Sequence, residues 1–174
     1  MRPDEAAEAF AFLYWVRDRI ADAAAGLTDA QFRSETPAAT RSLRGTLAHQ
    51  LECDWAWRVR RRSGAFPEGD VLPAEFPTLG ALMRRWRHEE RELRTWVASL
   101  TEAEFAASPP GPDDPLATWR YLVYVVNHGL AQLTEAAVLL TQLGHSPGEL
   151  GYLRFCVERG EVEGDACREA KPWA

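Results

Sequence analysis

With 174 residues, of which 46% are hydrophobic and 26% charged, the chain is long enough for one domain with a sizeable core and has the composition of a folded globule. A formal net charge of −6 and a sequence pI of about 5.3 give no general attraction to phosphate backbones or anionic lipid, so neither nucleic acid nor a membrane is an expected partner. Cys53, Cys156 and Cys167 are widely spaced and form no CxxC pair, and the N-terminal MRPDEAAEAFAFLYWVRDR has no apolar run of signal or membrane length; a reducing cytoplasm is the expected location.

The first helix is expected from about Asp4 to Ala25, with Phe10, Leu13, Val16 and Ile20 as its core stripe and Gly26 as its stop. Thr28 to Gln31 reads as a capping box that opens a short helical turn, and a Thr/Pro loop runs on to Arg41. Ser42 caps a second long helix, SLRGTLAHQLECDWAWRVRRR, ending near Gly64 before a loop with Pro67, Gly69, Pro73 and Pro77. Thr78 caps a third, in which Leu79, Leu82, Met83, Trp86, Leu93, Trp96, Val97 and Leu100 recur at the spacing of one buried face. The segment Ser108–Pro115 predicts a loop, with Asp114 and Pro115 at the N-cap and first position of a fourth long helix reaching Leu143. After Gly144, residues Ser146, Pro147 and Glu149 suit the start of a last short helix ending near Gly160. No run alternates as a strand would, so the expected fold is all-α: a four-helix bundle with short additional helices over residues 1–160 and a mobile tail over 161–174. GLTDAQF after the first helix and SLTEAEF after the third echo each other, and each leads into a His-bearing helix. Two related helical hairpins and two independent capping-box turns both fit that echo.

At roughly 100° per residue, Gly45, Cys53 and Ala56 project within about 40° of His49, so small neighbours leave room around that imidazole. Tyr121, Tyr124, Gln132 and Glu135 fall within about 40° of His128, away from Leu122, Leu130, Leu133 and Leu140. A polar stripe on an otherwise apolar helix must be satisfied internally or line a wet pocket. The pairs His49/Cys53 and His128/Gln132 have i, i+4 spacing, which lets two side chains converge on one ion. Either pair alone fits a hydrogen-bonded core histidine as well as a ligand. His88 in RRWRHEERELR reads as part of a solvated face, and His145 as a loop residue. Arg58, Arg60, Arg61 and Arg62 read as a solvated helix terminus, Cys156 as a core residue, and Trp55 and Trp57 as packing, with one ring able to roof the pocket.

The elements FLYWVRDRI, LRGTLAHQLECDWAW, VYVVNHGLAQ and LTQLGHSPGELGYLRF, in this order, resemble the DinB/YfiT-like superfamily over about residues 8 to 158. A DNA polymerase shares the name but not the sequence. The resemblance implies a dimeric bundle that holds a divalent metal, zinc or nickel, through three histidines, one on the second long helix and two at i, i+4 on the fourth. His49 and His128 match the first two, whereas Gln132 stands at the third, and the family's usual Arg and Gln fall on Leu133 and Glu135. An amide oxygen is a weaker ligand than imidazole, so metal affinity is expected to drop unless Cys53 supplies the missing donor. Two functions follow from the resemblance. One is a metal-dependent thiol transferase or related enzyme using a low-molecular-weight thiol; the other is a non-catalytic binding or stress-associated protein whose site is degenerate and metal-free.

Overall fold

Local capping chemistry sets most of the helix starts. The computed structural model describes residues 1–35, 39–108 and 116–163. Among these residues seven α-helices follow one another: α1 (Pro3–Ala24), α2 (Asp29–Arg33), α3 (Leu43–Ser63), α4 (Leu79–Ser99), α5 (Glu102–Ala106), α6 (Thr118–Gln142) and α7 (Tyr152–Glu158). Among the described residues there is no strand, and no helix is long and apolar enough to cross a membrane. The Ser42 hydroxyl accepts from the Gly45 amide at 3.1 Å, and that of Thr78 from Ala81 at 3.2 Å, each satisfying one of the free N–H groups of a helix start. Gly64 ends α3 in the left-handed conformation, with φ of 81°.

The four long helices form the bundle. α1 packs on α4 and α6, and α3 packs on the same two, so α1 and α3 lie on one diagonal and α4 and α6 on the other. The short helices α2 and α5 both open with complete capping boxes, Thr28/Gln31 and Thr101/Glu104. Each buries one phenylalanine, Phe32 or Phe105, and packs on the long helix that follows it. The sequence echo therefore marks two equivalent corners of the bundle.

Two helix starts differ from expectation. α6 begins at Thr118, with Ala117 as N-cap; Asp114 and Pro115 lie outside the described residues. The amide and hydroxyl of Thr118 both donate to the Ala107 carbonyl, at 2.8 and 3.1 Å, so a contact with the end of α5 sets this start. The segment from Ser146 to Glu149 is not helical. Gly148 takes a positive φ of 74°, which interrupts a right-handed helix, and α7 starts only at Tyr152 with Gly151 as N-cap. Most of the expected tail, residues 164–174 with Cys167, lies outside the described residues.

The charged groups near the bundle centre also depart from the sequence reading. Arg58 and Arg61 are buried, and Glu89, inside the charged run of α4, is fully buried. Arg58 reaches across from α3 to form a bidentate pair with both Glu89 oxygens. One turn earlier on α3, Asp54 accepts from Gln50 Nε2 and from Trp86 Nε1, each at 2.8 Å. Burial pushes the Asp54 carboxyl up to about 7 despite these two donors. Thr46, Gln50, Asp54 and Arg58 thus form a buried polar ladder at i, i+4 intervals along α3.

Gly129 sets the spacing between α6 and its neighbours. A Cβ there would stand 2.8 Å from Leu13 Cδ1 and 2.9 Å from Gln50 Nε2. The bare backbone lets α6 approach α1 and α3 at the level of His128.

Candidate metal centre

The histidine stripes of α3 and α6 meet. The His49 and His128 rings lie 5.4 Å apart, centre to centre, and nearly perpendicular at 81°. Cys53 stands between them, its Sγ 3.8 Å from His49 Nε2 and 3.4 Å from His128 Nε2. One nitrogen of each histidine and the sulfur all lie within 4.8 Å of one another. A tetrahedral ion with bonds of roughly 2.05 Å to nitrogen and 2.3 Å to sulfur would separate N and S by about 3.6 Å. The two observed N···S distances bracket that value. Neutral imidazole and thiolate are also the donor types that zinc prefers, so the residues present fit a divalent transition metal.

The surroundings suit this arrangement. His49 turns its other nitrogen, Nδ1, toward Glu52 Oε2 at 3.5 Å. A carboxylate in that place favours the proton on Nδ1 and leaves Nε2 free as a donor. Tyr124 stacks on the His128 ring at 5.8 Å and 18°. Trp57, one turn beyond Cys53, meets Tyr124 edge-on at 5.2 Å and stacks on Tyr121 at 5.3 Å, so Trp57 packs and also forms one wall beside the cluster. Burial, reinforced by Asp54 and Glu52, raises the Cys53 thiol to about 12, with Arg41 opposing. Burial, then the His49 and Arg41 charges, lowers His128. The bare protein accordingly holds a thiol and a neutral His128 at neutral pH.

Gln132 lies one turn along α6 from His128, and its Oε1 is buried without a hydrogen-bond partner among the described residues. An orphaned carbonyl oxygen at that place argues against a closed hydrogen-bonded network of Gln132, Glu135 and His128. The remaining candidates stand apart from the cluster. His88 is exposed on α4 and Cys156 is buried on α7. His145 follows α6 and its ring lies over Gly26, where a Cβ would come within 2.9 Å of it. Two neighbours escaped the sequence reading, Glu52 and Arg41. Glu52 carried a usable signal in its i+3 spacing from His49. Arg41 carried none, because it precedes the helix.

The DinB family profile matches residues 2–162. The chain belongs to the DinB family. No match was found among curated proteins.

Proposed function

We propose that the protein is a metal-dependent member of the family, holding zinc or a similar divalent ion through His49 Nε2, His128 Nε2 and Cys53 Sγ and acting as a thiol transferase or related enzyme. The convergence of three donors from two helices at tetrahedral spacing carries this reading. Three protein ligands are the pattern of catalytic zinc sites, where a fourth position stays open to a small molecule. The ion would supply Lewis acidity that lowers the pKa of a low-molecular-weight thiol. Glu52 orients His49, and Tyr124 and Trp57 restrain the His128 side of the site. Cys53, by this reading, takes over the donor role that the family places at position 132, leaving the Gln132 oxygen as an added weak ligand or a polar contact for what binds. The free thiols of Cys53 and Cys156 suit a cytoplasmic setting.

Calorimetric titration with zinc tests this. Native protein should bind tightly, Cys53→Ser should lose at least about tenfold, and Gln132→His should gain less than that. The second reading, a degenerate metal-free binding protein, is favoured by Gln132 at the family's third histidine. It gains if native protein binds zinc weakly and only Gln132→His restores affinity.

A homodimer is part of the same reading. The outer face of α6 beyond the cluster exposes Asn127, Ala131, Thr134, Val138 and Thr141, an uncharged stripe at three- and four-residue intervals. Thr134 and Thr141 donate their hydroxyls back to the Leu130 and Ala137 carbonyls, both at 2.8 Å, and so leave their methyl groups available outward. Light scattering should give a dimer mass that Val138→Glu shifts toward monomer.

A further inference from the structure

One cation beside the cluster has no carboxylate partner among the described residues. Arg41 directly precedes the α3 N-cap, and its stem lies over Gly45: a Cβ on Gly45 would sit 3.1 Å from Arg41 Cβ and 3.7 Å from its Cδ. Gly45 is one turn before His49 on the same side of α3, so Arg41 is laid along the face that carries His49 and Cys53. Arg41 is nevertheless exposed, and no carboxylate among the described residues pairs with it. The nearest acid on the helix, Glu52, is turned to His49 Nδ1.

A guanidinium near a divalent ion repels it and weakens metal binding, unless an anion lies between the two charges. Among the described residues no ion pair holds Arg41 where it is. We infer that Arg41 is the anion-binding residue of this site and that the substrate class is a small organic carboxylate. Its charged end would pair with the planar guanidinium fork. Its body would lie on the exposed side of the cluster, where Tyr124, 47% exposed, offers an aromatic surface next to His128. The inference rests on the metal reading and adds to it the chemistry of the second substrate.

The test has two stages with different readouts. Zinc is first titrated into native protein and Arg41→Gln, with affinity expected to be equal or higher in the variant because a like charge has been removed. Benzoate, and its neutral analogue benzamide, are then titrated into the zinc-loaded proteins by calorimetry and tryptophan fluorescence. Benzoate should bind native protein and bind Arg41→Gln about tenfold more weakly, the scale of one lost hydrogen-bonded charge contact, with Arg41→Lys between them. Benzamide should bind weakly and equally to all three. Equal benzoate affinity in native protein and Arg41→Gln, or no benzoate binding by the zinc-loaded native protein, would overturn the inference and leave the metal reading standing. Failure of native protein to bind zinc would overturn both.

Discussion

Helix α3 carries two polar stripes, and their environments differ. On its inner face Thr46, Gln50, Asp54 and Arg58 are buried, and the charged members are matched: Asp54 by Gln50 and Trp86, Arg58 by Glu89. On the adjoining face His49 and Cys53 are only partly buried and point their donors at each other and at His128, with an unpartnered Gln132 oxygen nearby. The first stripe pairs its charged members within the fold and ties α3 to α4, although Thr46 Oγ1 and Gln50 Oε1 have no hydrogen-bond partner among the described residues. The second leaves donors converging on a common centre, which is the arrangement of a binding site. Polar residues at helical spacing therefore mark a candidate site where donors from two helices converge on one centre, as they do at His49, Cys53 and His128.

Breaking the inner stripe should have the largest effect. Glu89→Ala strands the Arg58 guanidinium in the interior, so urea denaturation should show a loss of about 3–5 kcal/mol, with zinc affinity little changed in the fraction that folds. Gly129→Ala touches both regions, since its Cβ must displace Leu13 and Gln50 at the level of His128. A stability loss of about 1–3 kcal/mol is expected, accompanied by weaker zinc binding as α6 is pushed from α3. If zinc binding is unaffected, the spacing set by Gly129 does not govern the site.

Smaller effects sharpen the contrast. Glu52→Gln should leave stability near native yet reduce zinc affinity by about tenfold or less, the lower end of what an orienting carboxylate contributes. Loss of stability without loss of affinity would place Glu52 with the structural stripe. The smallest effect is expected at Glu90, where burial raises the carboxyl but Arg17 and Arg94 outweigh it, so the net shift is downward. A group lowered on folding adds stability above its unfolded pKa, and that stability is lost as pH falls through the folded value. Glu90→Gln should therefore be less stable than native protein at neutral pH, the difference closing below about pH 4. A difference that persists in acid would refute the ionic origin of this contribution.

Much of the candidate site was legible because it is built from local periodicity. The i, i+4 pairs His49/Cys53 and His128/Gln132, flanked by small or polar residues, can be read from helix geometry before any tertiary contact is known. The buried ladder was not legible. Arg58 and Arg61 sit in a run of arginines at a helix end, and Glu89 in a run of mixed charges, where exposure is the ordinary state. Only the face of α4 opposite α3 makes burial of Arg58 with Glu89 affordable, and that face is invisible in either helix alone. The starts of α6 and α7 were missed for related reasons: one is tied to the Ala107 carbonyl, and the other waits for the chain to leave the left-handed turn at Gly148.

By itself the amino-acid sequence determined the helices, their caps at Ser42 and Thr78, the two capping-box corners, the all-α class and the residues that line one face of α3 and α6. These are consequences of short-range geometry, in which each residue's role depends on neighbours within a turn or two. Tertiary structure alone decided which helices share a diagonal, that Cys53 stands between the two imidazoles, that Gln132 is left with an orphaned oxygen, and that Arg41 lies over Gly45 toward the cluster. Helix periodicity specifies the direction of a side chain about its own axis. The distance to a group on another helix is set by packing, here by the bare backbone of Gly129 that lets α6 close on α3.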